Sequence, residues 1–320
     1  MMDVIERLRL MGIVPVVRID DPETALPLAK ALIDGGLPCA EITFRTAQAE
    51  ESIIRICKEF PDMLVGAGTV LTCEQVDRAV AAGAKFIVTP GLNPKVVKHC
   101  LEKNIPVTPG CSNPSDIEQA LEFGIDVVKF FPAEASGGIE AIKAMAAPYV
   151  NVRFMPTGGI NIKNLNDYLK FPKIIACGGS WMVKPELMAD GNFEEITRLT
   201  KEAIHTMLGF ELKHVGINAE NASESEGIAK QICSIFGFDY KAGNSSNFSG
   251  TSMEVMKAPY LGKNGHIAIG TNNVERAVAY LKSQGVSFLD NTARISAGGE
   301  LNAIYLKEEI GDFAFHLVKK

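Results

Sequence analysis

The stretch VVKFFPAEASGG, residues 127–138, begins with a run of valine and phenylalanine that is interrupted by a single lysine, Lys129. A short run of β-branched and aromatic residues is typical of a buried β-strand. An ammonium group that is buried without a partner is costly, so a lysine within such a strand calls for an explanation. The stretch therefore predicts a buried strand and raises the question of why it contains a lysine.

Similar apolar runs recur along the first 180 residues, and helical stretches such as PETALPLAKALIDGG lie between them. Eight alternating β and α units in about 200 residues predict an α/β fold, a small parallel (β/α)8 TIM barrel. A doubly wound open sheet is the alternative, but it usually carries a G-x-G-x-x-G turn after its first strand, which this chain lacks. The eight runs are IVPVVRI (13–19), CAEITF (39–44), LVGAGTV (64–70), FIVTP (86–90), PVTPGC (106–111), VVKFFPA (127–133), RFMPTGG (153–159) and IIACGGS (174–180).

In a TIM barrel the active site lies at the C-terminal ends of the strands. If the alternating side chains of Val127, Lys129 and Phe131 face the barrel interior, Lys129 points into that site near Glu41. The residues that the pattern places at this end are the candidates for catalysis and substrate binding. They are Arg18, Glu41, Arg45, Thr69, Pro90, Lys129, Thr157, Gly158, Gly159, Gly178, Gly179 and Ser180.

A lysine in a desolvated pocket can attack a ketone, and the resulting iminium stabilises the carbanion left when a neighbouring carbon–carbon bond breaks. Glu41 is the nearest candidate for the proton shuttle, and Arg45 for the clamp on a substrate carboxylate. The alternative is that Lys129 extends from a strand end into solvent. Two adjacent glycine turns, PTGGI (156–160) and CGGSW (177–181), favour the active site, because barrels bind phosphate through backbone N–H groups there.

Six motifs occur in the order EITFRT, GAGTV, TPGLNP, KFFPAE, PTGGI and GGSW. Together they resemble the class I 2-keto-3-deoxy-6-phosphogluconate / 4-hydroxy-2-oxoglutarate aldolases over roughly residues 4–206. The resemblance implies that Lys129 forms a Schiff base with pyruvate, that Glu41 is the acid and base, and that Arg45 and Thr69 contact the pyruvate moiety. It also implies that the two glycine turns hold a distal phosphate, through Gly158, Gly159, Gly179 and Ser180, with Arg18 as a further candidate.

The reaction implied by this resemblance is reversible cleavage of 2-keto-3-deoxy-6-phosphogluconate to pyruvate and glyceraldehyde 3-phosphate. Cleavage of 4-hydroxy-2-oxoglutarate to pyruvate and glyoxylate is the related activity, and the sequence separates the two poorly. The intact glycine turns favour the phosphorylated substrate. The resemblance also implies that this chemistry needs no metal and that the protein is a homotrimer.

Composition limits the other partners. The net charge of −6, with no basic face, argues against nucleic acid. No apolar run reaches the ~18 residues that a membrane span needs. The seven cysteines are scattered, which predicts reduced thiols and a cytoplasmic location.

The barrel is expected to end near Leu208, which predicts two domains, residues 1–208 and 209–320. The second contains an internal repeat that begins at Lys213 and again at Gly265. The copies are closed by SMEVMKAPY (252–260) and DFAFHLVKK (312–320), and each predicts a β-α-β-β-β module within a smaller α+β domain. The pair resembles the vicinal oxygen chelate superfamily, which includes glyoxalases and extradiol dioxygenases.

That second resemblance implies a divalent metal held by the first and last strands of each copy, here at His214, Glu254, His266 and His316. Imidazoles with a carboxylate suit zinc, nickel or iron(II). The last position is usually glutamate in that superfamily, so His316 departs from the pattern. Three interpretations stay open: a second metal-dependent lyase, isomerase or dioxygenase activity, a metabolite-binding regulatory module, or a domain that serves packing or oligomerisation.

Overall fold

The computed structural model describes residues 3–320, and the chain folds as two units. The first unit ends at Met207, and the second covers Leu208–Lys320. The first alternates strands and helices throughout, whereas the second is rich in antiparallel and mixed sheet.

The first unit contains eight strands and ten α-helices among its described residues, with short 3-10 turns at Pro22–Thr24 and Glu134–Ser136. The strands are β1 (Ile13–Val17), β2 (Cys39–Thr43), β3 (Leu64–Gly68), β4 (Ile87–Val88), β5 (Val107–Thr108), β6 (Val127–Phe130), β7 (Arg153–Pro156) and β8 (Cys177–Gly179). The helices are α1 (Val4–Met11), α2 (Ala25–Asp34), α3 (Ala49–Glu59), α4 (Cys73–Ala81), α5 (Pro94–Glu102), α6 (Pro114–Glu122), α7 (Gly138–Ala146), α8 (Leu165–Leu169), α9 (Pro185–Ala189) and α10 (Phe193–Leu208).

The eight parallel strands close into a barrel. Six of them pair in the order β5-β4-β3-β2-β1-β8, and β6 pairs with β7. Single parallel bridges join these two sheets, between Gly110 and Lys129, between Phe154 and Ile174, and between Thr157 and Gly178. Because each strand is followed by a helix, the predicted TIM barrel is confirmed.

Helix α1 packs against the barrel core. Its apolar residues Val4, Ile5 and Met11 contact a cluster of buried side chains that lie mostly at or before the starts of strands. Leu8 of the same helix is fully buried in that cluster. The contacts of α1 therefore lie towards the N-terminal ends of the strands, and the C-terminal ends are left for loops that carry chemistry.

The second unit has eight strands and two helices. The strands are β9 (Glu211–Asn218), β10 (Tyr240–Ala242), β11 (Ser246–Ser249), β12 (Met253–Met256), β13 (His266–Thr271), β14 (Phe288–Ile295), β15 (Leu301–Leu306) and β16 (Ala314–Lys319). The helices are α11 (Ala222–Phe236) and α12 (Val274–Ser283).

All eight strands of the second unit form one sheet in the order β10-β11-β12-β9-β13-β16-β15-β14. Strand β9 lies antiparallel to β13, and each runs parallel to the last strand of its own module, β12 and β16 respectively. The predicted pair of β-α-β-β-β modules is therefore confirmed, and their first strands meet at the middle of the sheet.

Between residues 3 and 320 no helix combines the length and the apolar character that a bilayer crossing requires.

Helix α6, which leads into the lysine strand β6, begins at a side-chain cap. The Asn113 carbonyl oxygen Oδ1 accepts a hydrogen bond from the backbone N–H of Asp116 at 3.1 Å. We expect Asn113→Ala to lower the free energy of unfolding of the first unit by about 1 kcal/mol, because a free N–H is then left at the helix start. Urea unfolding followed by the fluorescence of the single tryptophan, Trp181, measures this.

Ser115→Ala is the control, since Ser115 is an exposed residue of the same first turn. Equal urea midpoints for the two variants would show that the cap makes no contribution.

Candidate functional site

Lys129 and Glu41 meet inside the barrel. Lys129, on β6, is 4% exposed, and Glu41, on β2, is fully buried. The lysine Nζ lies 3.5 Å from Glu41 Oε1, and the second glutamate oxygen, Oε2, is buried without a hydrogen bond to any residue of the described chain. An amine and a carboxyl group thus lie side by side in a desolvated place, the arrangement needed for nucleophilic attack coupled to proton transfer.

The backbone of β6 fixes the direction of the lysine. The N–H of Lys129 donates to Pro109 O at 2.8 Å, and its C=O accepts from Cys111 N at 2.7 Å. The Nζ also lies 5.2 Å from the centre of the Phe131 ring. Because both backbone groups are held by the segment after β5, the side chain is directed to the interior next to β2.

Gly68, at the end of β3, provides the space for Glu41. A Cβ built on Gly68 would overlap the Glu41 carboxyl group, lying 2.6 Å from its Cγ. The sequence pattern includes this glycine in GAGTV but gives no reason for it. An isolated glycine within a strand signals close approach by another group, and this signal could have identified it.

Thr69 and Arg45 adjoin this pair of residues. Thr69 has a φ of 55°, a left-handed conformation that is a genuine outlier for a β-branched residue. Its hydroxyl oxygen accepts a hydrogen bond from Arg45 Nε at 3.2 Å. Strained backbone of this kind is concentrated at functional sites, and here it places a hydroxyl and a guanidinium together beside the strand that carries Glu41.

The two glycine turns are neighbours. The bridge between Thr157 and Gly178 joins the ends of β7 and β8. A Cβ on Gly178 would overlap the Thr157 side chain, and one on Gly179 would overlap the Trp181 ring. Gly158 and Gly159 have φ values of 100° and 84°, which favour glycine.

The remaining predicted residues lie around the same end. Ser180 follows β8 and is exposed, and Thr157 is buried with no hydrogen bond from its Oγ1 to any described residue. Pro90 follows β4, and its C=O lies against Gly110. Arg18 forms an ion pair with Asp20 at 2.8 Å with its side chain 54% exposed, so the structure assigns it a local partner.

A second cluster of functional groups lies in the second unit. One ligand atom from each of His214, His266 and His316 lies within 4.8 Å of the others. Glu254 Oε2 lies 3.1 Å from His214 Nε2 and 3.2 Å from His266 Nε2. The four predicted metal-binding residues are therefore brought together by β9, β12, β13 and β16.

Sheet register and one glycine produce this convergence. Ala268 pairs with His214 on one side and with His316 on the other, and Gly216 pairs with both Glu254 and His266. A Cβ on Gly216 would overlap the His266 ring. The small residues on these strands thus leave the space that the imidazoles fill.

The electrostatic state of this cluster suits a cation. Burial, followed by the neighbouring imidazoles of His266 and His214, lowers the pKa of His316 to about 3, so its ring is neutral near pH 7. Burial alone would raise the pKa of Glu254, but hydrogen bonds from His214, His266 and Ser246 lower it below its usual value. Neutral imidazoles and a carboxylate are the donor forms that metals require.

Two of the imidazoles carry unused nitrogen atoms. His266 Nδ1, His316 Nδ1 and His316 Nε2 are buried and make no hydrogen bond with any residue from 3 to 320. Buried polar atoms normally have partners, so each exception needs an explanation. The residues present fit a bound divalent ion, since a metal would satisfy such a nitrogen.

Known proteins resemble the first unit closely. The family model for KDPG and KHG aldolase matches residues 4–199. The chain belongs to this aldolase family. Its first unit is accordingly that of an aldehyde-lyase of class I, which uses a covalent Schiff base and needs no metal.

Individual relatives cover the same length. The chain is 51% identical over 204 residues to the 2-dehydro-3-deoxy-phosphogluconate aldolase of Treponema pallidum, which is 64% of this chain and 97% of that protein. It is 43% identical over 192 residues to the KHG/KDPG aldolase of Escherichia coli K12, which is 60% of this chain and 90% of the relative.

A solved structure agrees with these matches. The KDPG aldolase of Legionella pneumophila, crystallised with pyruvate captured as a covalent carbinolamine, has 39% identity and a TM-score of 0.61. The match covers 63% of this chain and 98% of that one.

Adding one methyl group at Gly68 tests the geometry around Glu41. If Glu41 shuttles protons, we expect Gly68→Ala to lower the kcat of aldol cleavage roughly a hundredfold, because a displacement of about 1 Å in such a group costs that much. Steady-state kinetics with circular dichroism as a check of folding measures it.

Gly227→Ala, in α11, is the matched control, because a Cβ there meets nothing within 4 Å. Wild-type kcat in the folded Gly68→Ala variant would contradict the proposed position of Glu41.

Proposed function

We propose that the first unit cleaves 2-keto-3-deoxy-6-phosphogluconate to pyruvate and glyceraldehyde 3-phosphate through a Schiff base on Lys129. The observation that carries this proposal is the buried Lys129 Nζ, 3.5 Å from Glu41, in a barrel of this aldolase family. The names of the relatives support the substrate, since they are aldolases of this phosphorylated keto acid or of both related acids.

The chemistry begins at the keto carbon of the substrate. The lone pair of the Lys129 amine attacks C2, and loss of water from the carbinolamine leaves an iminium. Glu41 then takes the proton of the C4 hydroxyl, the C3–C4 bond breaks, and its electron pair moves into the iminium to give an enamine. Glyceraldehyde 3-phosphate leaves, Glu41 returns the proton to C3, and water hydrolyses the new iminium to pyruvate and the free amine.

The other residues position the substrate. Arg45 and the hydroxyl of Thr69 would hold the carboxylate of the pyruvate moiety, and a guanidinium suits this role because it binds carboxylate with two hydrogen bonds. Thr157 and Pro90 would line the middle of the site. The distal phosphate would lie on the two turns at Gly158, Gly159, Gly178, Gly179 and Ser180, with Arg18 as a further candidate.

The related substrate, 4-hydroxy-2-oxoglutarate, is shorter: a carboxylate is bonded directly to C4, in place of the two further carbons and the phosphate of the larger substrate. It would use the same lysine and glutamate but would need less from the glycine turns. Because the two turns are neighbours and both need glycine, we assign the phosphorylated acid as the preferred substrate.

Further proposals are that the two units are separate functional domains, divided near residue 208, and that the protein is a homotrimer in the cytoplasm.

Borohydride reduction in the presence of pyruvate tests the Schiff base. We expect a pyruvate-derived adduct on Lys129, because reduction converts the iminium to a stable secondary amine. Intact mass spectrometry and peptide mapping locate it, and Lys129→Met should abolish it.

Lys143→Met is the control, since Lys143 is a half-exposed lysine whose Nζ pairs with Glu140. A folded wild-type protein without adduct, or an adduct that persists in Lys129→Met, would contradict the mechanism.

We also propose that the second unit binds a divalent transition metal through His214, His266, His316 and Glu254. The observation that favours this is the convergence of three imidazoles whose ligand atoms lie within 4.8 Å, with a carboxylate against two of them. Such an ion would supply a Lewis acid for an oxygen-bearing ligand. Zinc, nickel and iron(II) match the donors.

The enzyme and regulatory interpretations of the second unit differ in whether such a ligand is converted to a product or only bound. The resemblance of this unit to the vicinal oxygen chelate superfamily stays a prediction.

Zinc titration of metal-free protein by calorimetry tests this site. We expect one zinc ion per chain, and His316→Ala should weaken binding by roughly a hundredfold or more, since even an outer-sphere partner is worth 10- to 100-fold.

His205→Ala, at an exposed histidine of α10, should leave binding unchanged. Equal zinc affinity in His316→Ala and wild type, or no binding by wild type, would contradict the metal centre.

A further inference from the structure

Glu134 connects the end of β6 to the glycine turn after β7. It is the last residue of KFFPAE and begins the 3-10 turn Glu134–Ser136. Its Oε1 accepts a hydrogen bond from the hydroxyl of Tyr168, on α8, and Tyr168 is only 1% exposed. The hydroxyl of a buried tyrosine therefore holds the carboxylate of an exposed glutamate in place. Neither residue takes part in the bond-breaking steps of the proposed mechanism.

The side chain of Glu134 packs directly against the turn. A Cβ on Gly159 would lie 2.5 Å from Glu134 Cγ and 2.6 Å from its Cβ. On its other side, a Cβ on Gly138 would lie 3.2 Å from both Glu134 Oε1 and the Tyr168 hydroxyl. The glutamate thus fills the narrow space between two glycines, and its position is set by close contact as well as by the hydrogen bond.

Backbone hydrogen bonds from the same segment fix the peptide planes of the turn. Ala133 N donates to Thr157 O at 2.8 Å, and Glu134 N donates to Gly158 O at 3.0 Å. A trans peptide is planar, so holding a C=O also fixes the N–H on the opposite side of the same plane. These two contacts therefore determine the directions of the N–H groups of Gly158 and Gly159.

The next plane is held by two asparagines. The Nδ2 atoms of Asn161 and Asn164 donate to Gly159 O at 3.0 and 3.2 Å, which fixes the direction of the Ile160 N–H. Three successive N–H groups are thus oriented before any ligand arrives. Donors that need no reorientation are the ones that bind an anion most effectively.

Tyr168 is well suited to anchor this assembly. Burial, followed by the hydrogen bond to Glu134, raises the pKa of Tyr168 well above its usual value, so its hydroxyl stays a proton donor over the whole working range of pH. The residue that it anchors, Glu134, donates its own N–H to Gly158 O, and the preceding residue, Ala133, donates to Thr157 O. Loss of the anchor would therefore loosen the backbone donors that hold two of the three planes.

We infer that Glu134 and Tyr168 are positioning residues that hold the turn at Gly158 and Gly159 in its phosphate-binding form. This inference rests on the proposed function, because it assigns the turn to the distal phosphate of the substrate. The role is specific for phosphate. Lys129 lies on β6, just before Glu134 in the chain, but its backbone is held by Pro109 and Cys111 and its Nζ lies against Glu41, so the pair that breaks the carbon–carbon bond does not depend on Tyr168.

Kinetics with two substrates test the inference. In Tyr168→Phe, which keeps the ring but removes the donor, we expect the KM for 2-keto-3-deoxy-6-phosphogluconate to rise about threefold to tenfold, the factor that one hydrogen bond is worth. The kcat and KM for 4-hydroxy-2-oxoglutarate should stay at their wild-type values, as should borohydride trapping of pyruvate on Lys129.

Two further variants at Glu134 and one control refine the test. Glu134→Ala removes both the acceptor and the packing and should raise the same KM at least as much, whereas Glu134→Gln keeps an oxygen acceptor and should rescue most of it. Tyr149→Phe is the matched control, because the Tyr149 hydroxyl donates a 3.0 Å hydrogen bond to Glu118, which is not part of the glycine turns. This variant should have no effect on the kinetics with either substrate.

The outcomes separate this inference from the proposed function. Unchanged kinetics in Tyr168→Phe and Glu134→Ala, or an equal loss with both substrates, would overturn the positioning role while leaving the aldolase proposal in place. A wild-type protein that traps pyruvate but does not cleave the phosphorylated acid would overturn the phosphate site and this inference with it. A wild-type protein without any trapping would overturn the Schiff-base mechanism itself.

Discussion

The contact between Lys129 and Glu41 is the constraint on which the first unit depends. An amine and a carboxyl group that leave water lose hydration, and only close, well-directed partners offset that loss. The barrel provides this by holding the backbone of Lys129 on both sides and by placing Gly68 where any larger residue would displace Glu41. The proposed Schiff-base chemistry uses the same buried place, because an attacking amine needs to be free of its water shell.

Glycines define the sites in both units by excluding a Cβ. Gly68 admits a carboxyl group, Gly178 admits the Thr157 side chain, and Gly216 admits an imidazole in the second unit. These three positions need no unusual φ; they need the absence of a side chain. Gly158 and Gly159 differ, because their left-handed backbone directs N–H groups into a turn. Close approach and backbone direction are thus two separate reasons for glycine at functional sites.

The two units bring functional side chains together in different ways. In the barrel, side chains from separate strands converge inside a closed ring, which places the amine of Lys129 beside the carboxyl group of Glu41. The covalent chemistry that we propose there uses this amine and no metal. In the second unit, neighbouring strands of an open sheet place three imidazoles and a carboxylate on adjacent register positions. Buried histidines with unused ring nitrogens are suited to binding an ion, because a metal would supply the missing partner. The aldol chemistry of the first unit needs no metal, and the metal site that we propose for the second unit rests on that unit's own residues.

The sequence by itself determined the eight β/α units, the paired modules, the lysine within a strand and the histidines on the first and last strands of the modules, because apolar periodicity and motif order are local properties. It could not determine which atoms meet, since that depends on strand register and ring closure. Lys129 and Glu41 are 88 positions apart in the chain, and only the closed barrel brings them to 3.5 Å. The function of Gly68 and the pairing of Glu134 with Tyr168 likewise arise from contacts between distant segments. Local patterns choose the elements and their faces, whereas the tertiary structure decides their neighbours, because packing and hydrogen bonding across strands act only once the chain has folded.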